Sequence, residues 1–336
     1  MTEYFFRRQI VMSLVPVTGS YRYKDIFQLL PPDKEAPTPH VVVGHYPLII
    51  EYRFEKPETE YYPTWEEGLK EQFKDPIKDP MEFEITLLTT GQRKVNELTC
   101  LLSVLSNFRL FNYGAEQAWV IPMGDVYPTS DRKILMGQHF YSYPEFVSSI
   151  SEFSMPDSTP MKYCEPRDYY RDHYFRPFDL PSCIDVLLTK YIRLNDEAKK
   201  AFDSSCILFC NAIDIWTQMA SLSFAAFVSS LETLINYEHR NVTEKRCSEC
   251  GQPQYQVRQK FLSFLHDFGS PEPTFKKYAD EIYQYRSKIL HSGKLLLADL
   301  ERNMFSFSNE EHNEDMFRRQ LINNTRICLV NWLMAQ

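Results

Sequence analysis

The C-terminal part of the chain carries apolar residues at helical spacing almost without interruption. Phe224, Phe227, Leu231 and Leu234 lie three or four positions apart, which is the pattern of a helix with a wide apolar face. The spacing predicts an all-α helical bundle over residues 186–336. Further helices of this bundle are predicted at 198–219, 257–268, 275–289 and 314–333.

The N-terminal part has shorter apolar runs of mixed type, which predict a mixed α/β domain over residues 1–154. The whole chain is therefore expected to be α+β. No residue pattern in this domain identifies a ligand, and we expect the domain to have a sensor or regulatory role. Runs at 40–45, 48–54, 83–88 and 118–122 are typical of strands, and leucines between 93 and 108 recur at helical spacing.

Residues 155–185 are rich in proline and aromatic residues and predict a connector between the two parts. Aromatic residues interleaved with Arg167, Arg171 and Arg176 would suit stacking on single-stranded bases. Acidic residues dilute this cationic patch, so an ordered connector is the favoured interpretation.

The 336-residue chain has a formal net charge of −8, and its charged residues are unevenly distributed along the sequence. Residues 1–185 hold 19 Lys and Arg against 27 Asp and Glu, whereas residues 186–336 hold 18 of each. Any RNA binding must therefore depend on a local cationic patch. No GxGxxG and no P-loop motif occurs, which argues against a glycine-rich phosphate site.

The N-terminus carries Glu3, Arg7 and Arg8, and its apolar runs are too short for a signal peptide. No stretch approaches about 18 uninterrupted apolar residues. We expect a cytoplasmic protein without a membrane partner.

The most specific chemistry lies in the segment Tyr285-Arg-Ser-Lys-Ile-Leu-His-Ser-Gly293. At about 100° per residue, Arg286 and His291 bracket a second face that also holds Tyr283 and Ser287. Gly293 is a good helix stop, so His291 lies in the last turn, where the helix dipole favours the protonated imidazole.

An arginine fork for phosphate oxygens and an imidazole for proton transfer are sufficient for metal-independent RNA cleavage, in which the 2′-hydroxyl attacks the phosphorus. No cofactor is required for this chemistry. Taken alone, the spacing is more typical of an Arg286 paired with a surface carboxylate and a His291 that caps its helix.

The surroundings of this segment resemble the HEPN (higher eukaryotes and prokaryotes nucleotide-binding) superfamily, particularly its Apea-like branch. The resemblance rests on the helical context, on Leu231-Glu-Thr-Leu-Ile235, on Cys247-Ser-Glu-Cys250 and on the spacing of Arg286 and His291. It covers residues 190–335, a little under half of the chain.

This resemblance implies a homodimer, or a higher homo-oligomer, in which two Arg/His pairs form one composite RNA-cleaving site. His291 would act as acid and base, and Arg286 would stabilise the phosphate. Relatives serve in bacterial antiviral defence or as toxins, so a phage-derived trigger or a regulatory protein is an expected partner.

Other residues are predicted to support this site. Glu232 lies on the helix that the resemblance places beside the catalytic one and would orient Arg286; an ordinary solvated helix charge is the alternative. Asn323 and Arg326 on the last helix would add RNA contacts, although such residues are more often simply surface residues.

Cys247 and Cys250 form a CxxC pair, which supplies two of the four ligands of a tetrahedral zinc site. His239, His266 and Cys183 are candidates for the others. A structural zinc and a turn with two free thiols both remain open.

Two other functions remain open. Ser287, where many active HEPN members carry Asn, Asp or His, and the missing basic excess favour a non-catalytic module for dimerisation or for nucleotide or RNA binding. Alternatively, the function lies in the N-terminal domain and the helical half is its scaffold.

Overall fold

The computed structural model confirms an α+β protein, with an antiparallel sheet in the N-terminal part and a mostly helical remainder. The structure describes residues 4–15, 17, 19–31, 46–55, 80–106, 108–112, 118–120, 138–140, 146–147, 163–164, 178–242, 245–246, 253–254, 257–269, 273–300 and 309–336.

The chain divides into two compact units. The first comprises Met1–Thr99, Leu110–Lys162 and Tyr174–Asp179, and the second comprises Cys100–Arg109, Tyr163–His173 and Leu180–Gln336. The predicted domain limits at 154 and 186 remain a prediction. The predicted strand at 40–45 lies outside the described residues, as does most of the predicted connector.

The first unit is built on a sheet whose strands are buried over long continuous runs, as in β1 (Tyr4–Ser13), where the last seven residues are all buried. The strands are β1 (Tyr4–Ser13), β2 (Tyr21–Tyr23), β3 (Phe27–Leu30), β4 (Tyr46–Glu55), β5 (Leu110–Phe111) and β8 (Phe146–Val147). Their order in the sheet is β2-β3-β4-β1-β5, with β8 also paired to β1, and the pairings are antiparallel. The predicted strand at 48–54 is confirmed within β4.

The first helix, α1 (Pro80–Ser106), corrects one prediction. Residues 83–88 were expected to form a strand, and they are the first turns of this helix. The reason is that Leu87, Val95 and Leu98, all buried, continue one apolar stripe at a spacing that only a helix brings to one side. The predicted helix at 93–108 is confirmed over 93–106, which form the later turns of α1.

Short strand pairs occur elsewhere in the chain. The predicted extended segment at 118–122 is confirmed over 118–120, which form β6 (Ala118–Val120), and residues 121 and 122 lie outside the described residues. Residues 186–336 were predicted to be all-α, but they also contain one antiparallel strand pair, β11 with β12. These strands are β6 (Ala118–Val120), β7 (Gln138–Phe140), β9 (Tyr163–Cys164), β10 (Leu180–Pro181), β11 (Lys245–Arg246) and β12 (Pro253–Gln254).

The second unit is a set of packed helices, and each helix predicted from apolar spacing is present. Its longest members are α3, α4, α6 and α8. The helices are α2 (Ile184–Arg193), α3 (Asp196–Asp214), α4 (Ala220–Glu238), α5 (Val257–Phe268), α6 (Pro273–Ser292), α7 (Leu297–Leu300) and α8 (Asn309–Ala335).

Close helix packing in this unit follows from small residues and stacked aromatics. Ser205 and Ser230 each donate a hydroxyl hydrogen bond of 2.8 Å to the other's backbone carbonyl, which brings α3 and α4 together. Phe202 stacks on Trp332 of α8 with ring centroids 5.5 Å apart, and both are fully buried. This core fixes α4, on which α6 and its candidate site depend.

Candidate functional site

Helix α6 is oriented by its apolar side. Ile282 is buried, and the Tyr285 ring lies 6.0 Å from Phe224 of α4 and 5.0 Å from Phe317 of α8. Because Arg286 is the next residue, about 100° further around the helix, it lies at the edge of the contact with α4 rather than within the apolar core.

Arg286 is brought together with Glu232 and His291. Its Nη2 lies 3.0 Å from Glu232 Oε1 and donates to Oε2 at 3.2 Å, and its Nη1 lies 3.3 Å from His291 Nε2. The side chains of Arg286 and Glu232 are 18% and 20% exposed, whereas His291 is exposed. The structure therefore places Glu232 where it can orient Arg286.

The contact between Arg286 and His291 has a direction. A guanidinium can only donate, so the contact is a hydrogen bond when His291 Nε2 carries no proton and accepts from Arg286 Nη1.

The second face of α6 is covered in its first half by α5. The Tyr283 ring packs on Phe261 at 5.7 Å, and Asp280 forms an ion pair of 2.6 Å with Arg258. Tyr283 is thus placed as a packing residue. Ser287 is half-buried beyond these contacts, and the face opens to solvent at His291.

The end of α6 is shaped as the sequence predicted. The helix ends at Ser292, Gly293 follows with φ of +62°, and the Lys294 N–H donates to Lys288 O at 3.3 Å. Left-handed backbone of this kind favours glycine. The turn keeps His291 in the last turn of the helix.

A set of hydrogen bonds that the sequence did not reveal holds the segment after this turn. Asp299 accepts from the backbone N–H groups of Ala220 and Ser221 at 2.7 Å each, and Ser221 Oγ accepts from Leu296 N at 2.8 Å. The sequence offered one indication of these bonds. Met219, which precedes α4, has no side chain that can cap a helix, so the cap of α4 must come from another part of the chain.

Glu314 of α8 completes this arrangement. Its carboxylate accepts from Leu297 N at 2.9 Å and from Ala298 N at 3.1 Å. We call Asp299, Ser221 and Glu314 the loop clamp, since together they fix residues 294–300 against α4 and α8.

The two residues predicted to contact RNA from the last helix lie in different surroundings. Arg326 is 7% exposed, and its guanidinium carbon lies 5.0 Å from the centroid of the Phe209 ring. A guanidinium buried in this way reaches RNA only after a rearrangement, so we leave Arg326 out of the candidate site. Asn323 is half-buried.

The predicted zinc ligands Cys247 and Cys250 lie outside the described residues. Among the residues that the structure describes, no group of three or more His, Cys, Asp or Glu side chains is placed to hold a metal ion. Of the other candidate ligands, His266 Nδ1 lies 3.1 Å from Asp267 Oδ1, and burial raises the pKa of the Cys183 thiol.

Comparison of the chain with known proteins found no match among protein-family models, curated proteins or solved structures. In the part of the chain that the structure describes, no helix is long and apolar enough to cross a membrane.

Proposed function

We propose that this protein is a metal-independent RNA endonuclease of the HEPN type, with Arg286 and His291 as its catalytic residues. The observation that carries the proposal is the contact of 3.3 Å between the Arg286 guanidinium and His291 Nε2 at the exposed end of α6. The resemblance to Apea-like HEPN proteins adds a role in bacterial defence or as a toxin.

The chemistry uses the groups at this end of the helix. When the Arg286 guanidinium turns from His291 Nε2 to the phosphate oxygens, the lone pair of this nitrogen is freed and takes the proton of a 2′-hydroxyl, whose oxygen then attacks the adjacent phosphorus. Arg286 faces the phosphate oxygens as charge builds on them. The P–O5′ bond breaks, the departing 5′-oxygen receives a proton, and the products end in a 2′,3′-cyclic phosphate and a 5′-hydroxyl.

One histidine in the neutral form serves as base, and a second group must supply the proton to the leaving oxygen. A second copy of the chain would provide it through its own His291, in agreement with the homodimer that the resemblance implies. The exposure of His291 leaves its ring accessible to such a copy and to RNA.

The proposal is tested by incubating wild-type protein and His291→Ala with total RNA. We expect the substitution to lower the cleavage rate by at least about 100-fold, since general acid-base groups contribute factors of this size. His312→Ala is the matched control, because His312 is also exposed but lies on α8. Retained cleavage by a folded His291→Ala protein would refute the proposal.

A second candidate function is a non-catalytic module that binds RNA or a nucleotide, or only dimerises. The observation in its favour is that Glu232 already neutralises Arg286. This candidate predicts binding of RNA or stable dimers without cleavage by concentrated wild-type protein, and with no effect of chelators on that result.

A further inference from the structure

A groove of about 640 Å³ lies between α6 and the first turns of α8 and is also lined by residues 294–297. Cavities of this size accommodate small molecules. The groove occupies a different face of α6 from Arg286 and His291, since its lining residues on that helix include Tyr278, Tyr285 and Lys288.

Three aromatic rings form the floor of the groove. Phe317, which is 7% exposed, stacks on Tyr278 at 6.0 Å and lies 5.0 Å from Tyr285. The faces of aromatic rings attract cations through their quadrupole. The ammonium of Lys288 lies 5.8 Å from the centroid of Tyr285, so a positive charge is already found at this floor.

Two carboxylates flank the same floor. Glu281 lies one helical turn before Tyr285 and is half-buried, and among the described residues it forms no ion pair. Glu314 lies across the groove on α8. Burial raises the pKa of the Tyr285 hydroxyl, and the negative charges of Glu314 and Glu281 raise it further.

Lys288 and Lys294 line the groove as well, and both are exposed. Their ammonium groups are the ones to which an anion would bind. Since the lysines lie towards solvent and the aromatic floor lies between two carboxylates, the deeper part of the groove is suited to a positive charge.

We propose that this groove is a binding site for an organic cation of the alkyl polyamine class. One ammonium group lies on the rings of Tyr278 and Tyr285, which Phe317 supports from below, between Glu281 and Glu314, and the alkyl chain follows the apolar wall formed by Leu295 and Leu296. The ligand displaces the Lys288 ammonium from Tyr285.

Spermidine is the probe, titrated into the full-length protein by calorimetry at moderate salt. We expect saturable binding that Glu281→Gln weakens about tenfold, the loss of roughly 1.4 kcal/mol of charge and cation interaction. Asp267→Asn is the matched control, because it removes an exposed carboxylate from α5, outside the groove, and should leave the affinity unchanged.

The Lys288→Gln substitution tests whether the bound ligand carries a positive charge. Because Lys288 is exposed, the substitution should not affect folding, and it should tighten spermidine binding several-fold by removing a competing ammonium. Equal affinities in all four proteins would show attraction to the net negative charge alone and overturn the proposal. Weaker binding in Lys288→Gln, or no saturation by spermidine up to about 10 mM, would also overturn it. The titration measures binding only, so its outcome is independent of RNA cleavage.

Discussion

Arg286 is the residue on which the candidate site depends, because one guanidinium contacts both a carboxylate and an imidazole. Glu232 holds Nη2, and Nη1 is directed to His291. An arginine side chain has several freely rotating bonds, and an ion pair with a neighbouring helix restricts them. In the proposed mechanism Glu232 is therefore a positioning residue for Arg286, the group that would bind the phosphate.

The Glu232→Gln substitution tests this role. We expect RNA cleavage to slow by about ten- to a hundredfold, because a misplaced catalytic group loses most of its effect. The free energy of unfolding should fall by no more than about 1 kcal/mol, since the ion pair is partly exposed. Rates on RNA and urea unfolding measure the two effects.

Glu197→Gln is the control for Glu232→Gln, because Glu197 forms a surface ion pair with Arg240 on the same unit. Faster cleavage by Glu232→Gln would mean that Glu232 restrains Arg286 rather than positions it.

For single residues, the sequence predicted which residues form the candidate site better than it predicted the contacts around them. The spacing of Arg286 and His291 shows that both lie off the apolar stripe, and the structure brings them together. Whether Arg326 is buried depends on Phe209, which lies 117 positions earlier in the chain, and no local pattern carries that information.

At the scale of elements, the end of α6 and the loop clamp position the last turn of the helix. Apolar periodicity predicted α6 and its stop at Gly293. The clamp was not predictable, because Asp299 caps α4 across 79 and 78 residues of sequence. The strand predicted at 83–88 was wrong for a related reason: a short apolar run suits either element until its continuation into α1 is considered.

Gly293→Ala tests the helix stop. A Cβ at this position meets no atom within 4 Å, so the cost is that of the backbone conformation alone. We expect a loss of about 1 to 2 kcal/mol in the free energy of unfolding, measured by urea denaturation. Gly293→Asn should lose clearly less, since asparagine tolerates left-handed backbone. Equal losses for alanine and asparagine would contradict this account.

Asp299→Asn tests the loop clamp through its pH dependence. Burial alone would raise the pKa of the Asp299 carboxyl, but hydrogen bonds from Ser221 and Ala220 and the charge of Arg318 hold it below its usual value. We expect Asp299→Asn to cost about 1 kcal/mol of unfolding free energy at pH 7, because the amide keeps one acceptor oxygen and turns its NH2 group towards the other backbone N–H.

The sign of the pH effect follows from the lowered pKa. The stabilisation from ionised Asp299 is fully present above the unfolded value of about 3.9 and is lost as the pH falls through the folded pKa. The difference between wild type and Asp299→Asn in urea unfolding should therefore narrow only below about pH 4. A difference that stays constant into acid would show that the charge is not involved. Asp267→Asn, an exposed carboxylate on α5, serves as the control.

At the scale of the whole molecule, charge and chemistry are divided along the chain. The excess of acidic residues lies in residues 1–185, and the residues with the candidate site carry equal numbers of both signs. An acidic region competes with RNA for cationic groups, so a restraining role for the N-terminal part agrees with the proposed function. The fold class followed from the apolar pattern, whereas the placement of residues 100–109 in the second unit depends on long-range contacts. One of these contacts is the ion pair of Arg109 with Asp214 at 2.6 Å.

Cleavage of RNA by 2′-hydroxyl attack without a metal leaves characteristic product ends, which make it directly measurable. Wild-type protein is incubated with transfer RNA and with total RNA in excess chelator, and the new ends are identified by phosphatase and kinase treatment. We expect 2′,3′-cyclic phosphate and 5′-hydroxyl ends that are absent from the His291→Ala reaction. Products with 3′-hydroxyl ends, cleavage that the chelator abolishes, or intact RNA at high protein concentration would refute the proposed function.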